Sequence, residues 1–270
     1  MKRPWTWSRH LTQIGILALF LASLSGWRGV TGTLSGSRIL GITLADPLAV
    51  IQIFLARHNV AVTLALAALW ILLAYWLVGG RTFCGWVCPI NTLLEAVDVV
   101  RKRLKTPDYN LGTATKYWVL LTVLVLSLVT GLPVFELISP LGILLRNLLY
   151  GAGGSIAIIL ILVGFELFVS RRGFCRYLCP LGAFYGLVAR MSPLQLCLNH
   201  RECTRCAKCT EVCPMGEEAL QAGLNGKTDL INANECTKCG KCIEVCPTHA
   251  IRPGFVGSRL IKTKKTEIEI

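Results

Sequence analysis

Eight cysteines constrain this chain more than any other feature. Cys203-x2-Cys206-x2-Cys209-x3-Cys213-Pro214 is repeated 33 residues on as Cys236-x2-Cys239-x2-Cys242-x3-Cys246-Pro247. Thiols three residues apart on a tight loop converge on one region of an iron–sulfur cube. The fourth, set off before a proline, reaches the neighbouring cube instead. The spacing therefore predicts two [4Fe–4S] clusters. Cys203, Cys206, Cys209 and Cys246 would hold cluster 1, and Cys236, Cys239, Cys242 and Cys213 cluster 2. A zinc site needs only four thiols, as two separated pairs, and disulfide scaffolds are short secreted domains. Neither explains two full repeats that each end in Cys-Pro.

A two-cluster ferredoxin needs little apolar sequence, yet 53% of the 270 residues are hydrophobic and 16% charged, with mean hydropathy +0.57. The excess lies in runs at residues 11–27, 60–78, 117–135 and 155–170. Nineteen helical residues extend about 28 Å, close to the hydrocarbon thickness of a bilayer. Any single run suits a buried core helix, and the first also suits a signal peptide. Repetition favours four transmembrane helices.

The net charge of +13 invites a nucleic-acid reading, but from residue 197 onward 11 Lys/Arg face 9 Asp/Glu, so the excess flanks the apolar runs instead. With the N-terminus inside, thirteen basic residues flank the inner ends: Lys2, Arg3, Arg9, Arg81, Arg101, Lys102, Arg103, Lys105, Lys116, Arg171, Arg172, Arg176 and Arg190. Only Arg28, Arg38, Arg57 and Arg146 lie outside. That bias orients membrane helices and places both termini in the cytoplasm, where free thiols also persist. The expected order is a cytoplasmic start (1–10), a four-helix membrane domain (11–192), an α+β two-cluster ferredoxin domain of bacterial type (193–256) and a solvated tail (257–270). The tight basic run 101–105 is explained by anionic lipid headgroups.

The membrane part repeats itself. The segment with Phe83-Cys84 and Cys88-Pro89 matches the one with Phe174-Cys175 and Cys179-Pro180 at an offset of 91 residues. Asp46-Pro47-Leu48 is echoed more weakly by Ser139-Pro140-Leu141. Two crossings per half make the halves parallel, with both Cys-x3-Cys-Pro motifs emerging inside. The outer segments 46–57 and 140–150 are apolar with one polar face, which suits the membrane surface or a place tucked between helices.

Proline is comfortable as a first helical residue, so Cys88 and Cys179 should cap helices starting at Pro89 and Pro180. The helix dipole and nearby Arg81, Arg171, Arg172 and Arg176 would favour thiolate there. The four thiols of Cys84, Cys88, Cys175 and Cys179 then have three readings: additional metal or cluster ligands, redox or docking thiols, or small buried hydrophobes. Cys197, without a partner spacing, reads as structural. Glu166 inside the last run is either a proton acceptor from a quinol or a structural ion-pair partner of Arg171. His249 belongs at the cluster periphery. No histidine pattern suggests haem, and no Walker or Rossmann glycines suggest a nucleotide. Gly226-Lys227 suggests a short hairpin between the cysteine repeats.

Four apolar helices, the doubled Cys-x3-Cys-Pro and a C-terminal two-cluster module, in this order from about Trp7 to Ile251, resemble the NapH family. The resemblance implies a ferredoxin-type quinol dehydrogenase component of the bacterial inner membrane, active only with partners. Quinol would be oxidised in the membrane and electrons passed to a periplasmic nitrate reductase through ferredoxin-type and cytochrome subunits. Related membrane polyferredoxins of nitrous-oxide respiration, methylamine utilisation and oxidase assembly imply an alternative, an accessory redox role in metalloenzyme maturation. Clusters inside and an acceptor outside require a crossing route. No nucleic acid is expected as partner.

Overall fold

The computed structural model describes residues 4–22, 30–33, 36–39, 41–104, 106–109, 111–144, 156–226 and 229–255. Before the ferredoxin segment come helices α1 (Pro4–Ala22), α2 (Pro47–Arg57), α3 (Val62–Val78), α4 (Thr82–Trp86), α5 (Pro89–Leu104), α6 (Thr115–Thr130), α7 (Val134–Ile138), α8 (Ile156–Phe168) and α9 (Pro180–Arg190). Within it lie three short ones, α10 (Lys208–Val212), α11 (Gln221–Leu224) and α12 (Lys241–Val245). The strands are β1 (Val30–Thr33), β2 (Gly36–Ile39), β3 (Ile42–Ala45), β4 (Leu194–Leu198) and β5 (Ile251–Phe255). The chain divides into two compact units: residues 1–9, 74–86 and 185–270 in one, and residues 10–73 and 87–184 in the other. The ferredoxin segment thus shares its unit with the start of α1, the end of α3 and all of α4.

In the unit of residues 10–73 and 87–184, β1, β2 and β3 form an antiparallel meander, where the sequence reading places no strand. Asp46 then caps α2: its carboxylate accepts the Ala49 N–H at 3.2 Å and its carbonyl that of Val50 at 3.1 Å. Ser139 does the same for residues 140–144, its hydroxyl accepting the Gly142 N–H at 3.4 Å and its carbonyl that of Ile143 at 2.9 Å. The weak echo in the sequence is therefore a repeated helix start, since both side chains satisfy orphan N–H groups of a first turn. The apolar face of α2 packs against α6, and buried Gln52 accepts hydrogen bonds from the Phe135 N–H and the Ser127 hydroxyl. This outer segment is thus held by protein on one face. Residues 145–150 of the second lie outside the described residues.

Among the described residues, no helix is long and apolar enough to cross a membrane. The run 117–135 is cut where Gly131 adopts a left-handed conformation (φ 67°) and closes α6 on Ser127 O, with Pro133 following. The run 60–78 yields 17 helical residues and stops at Gly79 (φ 118°). α8 has 13, and Ser155 with Gly153-Gly154 lies outside the described residues. α1 starts before its apolar run and carries Arg9 and Gln13, both buried.

The basic residues counted as inner flanks also behave differently. Arg9, Arg81, Arg101, Lys116, Arg172 and Arg176 are buried, so the count does not measure free positive surface. Arg101 in particular fastens α5 to α8, donating to the carbonyls of Glu166, Leu167 and Pro107. Lipid headgroups are not needed to explain it. Lys2, Arg3, Arg28, Lys105, Arg146 and the tail 257–270 lie outside the described residues.

Candidate iron–sulfur site

The site is framed by β4 and β5, antiparallel from Leu194↔Phe255 to Leu198↔Ile251. Cys197 sits in β4, opposite Arg252 and bridged to Leu230. Leu196, Leu198, Leu220, Ile231, Ala250 and Ile251 form a core with Cys242, against which Cys203, Cys209, Cys213, Cys236 and Cys246 pack. Ahead of the expected hairpin turn, Glu217–Ala219 forms a single 3-10 turn that leads into α11, Gln221–Leu224. Lys227 lies outside the described residues.

The repeated spacing is matched by a repeated backbone. Arg205 and Lys238, 33 residues apart, are both left-handed (φ 54° and 51°), as are Ala207 and Gly240 (57° and 77°), and Gly216 and His249 (74° and 54°). Such turns direct successive amides toward the loop interior, a concavity suited to anions. The Lys238 N–H reaches Cys236 Sγ at 3.4 Å, and in the first loop the Lys208 and Thr210 amides serve Cys206 and Cys209. Four of these six positions are not glycine, so only superposing the repeats would reveal them in the sequence.

Cys203, Cys206, Cys209 and Cys246 line one pocket, closed behind by Leu198, Leu224 and Ile251. The charges of Cys236, Cys239 and Cys213, and also of Cys209, bear on Cys242. The cluster 1 set, with Cys246 taken from the other repeat, thus lines one pocket, while Cys242 lies among cysteines of both sets. Among the described residues, no three His, Cys, Asp or Glu converge on a single metal ion. A cube binds each thiolate at a different iron, so four sulfurs around an apolar-backed pocket with inward amides fit a [4Fe–4S] cluster. The unligated thiols differ sharply. Burial pushes Cys236 up to about 11 and Cys242 well above the ordinary thiol range. Cys206 is lowered, chiefly by the Lys208 amide. Ligation displaces a proton from each.

Coverage breaks the symmetry of the two loops. Thr237, Lys238, Cys239 and Gly240 are buried, whereas residues 204–207, their counterparts, are all exposed. The cover over the second loop comes from the same unit. Arg81, wholly buried, donates to Glu235 Oε2 at 2.9 Å and to the Asn234 and Glu235 carbonyls at 3.0 and 3.3 Å. Trp86 Nε1–H donates to the Lys238 carbonyl at 3.0 Å. Gly85 lies so close that a Cβ there would stand 2.6 Å from the Thr237 carbonyl oxygen. Trp5, edge-on to Trp86, covers Gly240, where a Cβ would fall 2.7 Å from that of Trp5. Thr6 donates through its N–H and hydroxyl to Glu244 at 2.9 and 2.6 Å. α4, which carries Cys84, is therefore seated on the loop of Cys236 and Cys239. Sequence reasoning missed Arg81 as an anchor, because a basic residue beside an apolar run reads as a flank.

In the other unit, α5 starts at Pro89 and α9 at Pro180. Cys179 Sγ accepts the Gly182 N–H at 3.4 Å, and the Cys88 carbonyl accepts that of Asn91 at 3.1 Å. Cys175 lies on a π-helical turn, Phe174–Leu178, near Cys179 and Cys88. Burial drives its thiol well above the ordinary range. Glu166 caps that turn: its two oxygens accept the Gly173 and Phe174 N–H groups at 3.1 and 2.9 Å. Arg171, its expected partner, pairs with Asp98 at 2.8 Å instead.

Comparisons with known proteins find 4Fe–4S domains over these segments. A family described as "4Fe-4S dicluster domain" matches residues 195–247, and one described as "4Fe-4S binding domain" matches twice, at 60–107 and 152–196. Each of the latter spans contains one Cys-x3-Cys-Pro. The methylamine utilization ferredoxin-type protein MauN of Methylorubrum extorquens is 38% identical over 213 residues, 77% of this chain and 74% of that one. The ferredoxin-type proteins NapH of Haemophilus influenzae and Escherichia coli are each 33% identical, covering 82% and 78% of this chain and 78% and 75% of their own. No solved structure matches.

Proposed function

Since the chain belongs to the ferredoxin-type family of NapH and MauN, we propose that it is a membrane-bound subunit that takes electrons from quinol. It passes them through two [4Fe–4S] clusters toward a periplasmic nitrate reductase, by way of ferredoxin-type and cytochrome subunits. That it is a ferredoxin-type 4Fe–4S electron-transfer protein follows from the family and the matched domains. The proposed ligands are Cys203, Cys206, Cys209 and Cys246 for cluster 1, and Cys236, Cys239, Cys242 and Cys213 for cluster 2. Such centres supply one-electron chemistry; the chain's residues hold them and screen one of them from water.

One observation carries the reading. α4, at the end of an apolar helix, is seated on the second cysteine loop through Arg81, Gly85 and Trp86. A quinol oxidised at the membrane thus has an iron–sulfur centre adjoining the apolar helix. Membrane residence is supported by apolar side chains left bare, among them Leu66 and Trp70 on α3, Trp118 and Val129 on α6, and Leu160 and Ile161 on α8. A bilayer solvates such faces and water does not. We place these helices in the bacterial inner membrane, with the ferredoxin segment on the cytoplasmic side.

Quinol added to anaerobic membranes that also hold the partner subunits should reduce both clusters, seen by EPR. Clusters that stay oxidised would refute quinol as donor. Cys88, Cys175 and Cys179, with Cys84, are further candidate ligands or redox thiols. Iron and sulfide content equal to three clusters would make them ligands, and content equal to two would make them thiols. The second reading is an accessory redox role in metalloenzyme maturation, considered because relatives named for methylamine utilization match alongside those named NapH. Quinol-independent rescue by a chain that keeps Cys84, Cys88, Cys175 and Cys179 would favour it.

A further inference from the structure

We propose that the bare face of the first cysteine loop docks a separate redox protein whose surface around its one-electron centre is acidic. The two loops share spacing and left-handed turns, so they present the same shape. In the second, that shape is already filled by Trp5, Arg81, Gly85 and Trp86. In the first, nothing in the chain takes that place among the described residues, and Cys206 is the one exposed cysteine among all thirteen. The pocket of Cys203, Cys206, Cys209 and Cys246 is lined as well by Thr204, Arg205, Ala207 and Lys208 of this exposed stretch. An external partner reaches the first centre here and is kept from the second.

The charge of the face selects the partner. Arg201, Arg205 and Lys208 are exposed and make no ion pair among the described residues; of the nearby acids, Glu202 is engaged by Arg252 at 3.3 Å and Glu211 is exposed one turn beyond Lys208, which leaves basic charge in excess. Uncompensated basic charge around a redox edge raises the encounter rate with an acidic surface by ~10- to 1000-fold at low salt. A lipid surface fits less well. Residues 201–208 contain no large apolar side chain to enter the acyl boundary. The reaction is one electron passed from the first centre to the partner's acceptor, with no atom transferred. The inference rests on the reading of the chain as an electron-transfer subunit.

The test uses the full chain in detergent, reduced anaerobically by dithionite so that no quinol is involved. It is then mixed in stopped flow with an oxidised flavodoxin, a small acidic redox protein. The second-order rate should fall on the order of tenfold between low and high salt. At low salt, Arg205→Glu with Lys208→Glu should lower it by about another tenfold and speed electron transfer to basic cytochrome c. Unchanged EPR intensity would show that the site is intact. Arg201→Glu, outside the loop, gives a smaller change in the same direction and serves if the double variant loses iron. A rate indifferent to salt and to all three substitutions overturns the proposal. So does a pattern in which the variants lose binding to anionic vesicles but keep their rate with flavodoxin. Failure of quinol to reduce the clusters leaves this test standing and refutes only the donor.

Discussion

The Arg81–Glu235 pair offers the sharpest test of how α4 is fastened to the second cysteine loop. The Arg81 side chain is 0% exposed and that of Glu235 6%, and the guanidinium also satisfies the Asn234 and Glu235 carbonyls. Arg81→Met keeps the stem but strands a carboxylate and two carbonyls away from water. Removing one partner of a buried pair costs about 3–5 kcal/mol. Glu235 immediately precedes Cys236, so the cost falls on the second loop first. Local opening there should rise roughly a hundredfold to a few thousandfold. The assay is EPR of both clusters along a guanidinium series. In Arg81→Met the cluster 2 signal should disappear at clearly lower denaturant while that of cluster 1 follows the parent protein. Adding Glu235→Met should recover most of the loss, because an apolar pair of similar volume is often as stable as a buried ion pair. If Arg81→Met leaves both signals at the parent midpoint, or weakens both equally, Arg81 does not anchor the loop. An additive double-mutant cycle would show that the two side chains are not coupled.

Three further outcomes are expected. Cys209→Ala should abolish the EPR signal of cluster 1 and Cys213→Ala that of cluster 2; loss of the same signal in both would refute the crossed ligation. Gly85→Ala places a methyl 2.6 Å from the Thr237 carbonyl oxygen, and overpacking of this kind costs about 1–3 kcal/mol, read as a lower thermal midpoint for release of iron from cluster 2 alone. Mild oxidation with a chelator present should strip cluster 1 first, because Cys206 is exposed while Cys239 and Cys242 are buried; simultaneous loss would mean that coverage does not govern stability of the sites.

The cysteine loops were legible because ligand chemistry dictates spacing directly. Residues 203–246 imply their proposed ligand sets by spacing, and the helix starts at Pro89 and Pro180 follow from proline alone. The apolar runs misled in detail because hydropathy marks burial from water without marking where a helix ends. Gly131 and Pro133 divide one run into two helices, yet neither lowers its hydropathy much. The basic residues misled for a related reason. Arg81, Arg101 and Arg172 sit where a flanking charge belongs, and only tertiary partners such as Glu235, the Glu166 carbonyl and Asn91 show that they are internal fasteners. Glu166 is a similar case, since its partners are backbone amides that sequence does not advertise.

Near-identical loops in unlike surroundings should carry unlike potentials, since hydrogen bonding and exposure tune a cluster as much as its ligands do. Lys238 offers the cleanest handle. Its ammonium is buried against the Val78 and Leu194 carbonyls, one residue before Cys239, while its counterpart Arg205 faces solvent. A buried cation stabilises the reduced, more negative state of a neighbouring centre and so raises its potential. The same charge in water is screened. Lys238→Met should therefore lower the midpoint of cluster 2 by on the order of tens of millivolts and leave cluster 1 in place. Arg205→Met should move neither by a comparable amount. An EPR redox titration that finds cluster 1 shifted by Lys238→Met, or equal shifts from the two substitutions, would contradict the assignment of Lys238 to the buried loop's field. With cluster 2 shifted alone, the cover of Trp5, Arg81 and Trp86 would account for how one loop design serves both an inward and an outward step.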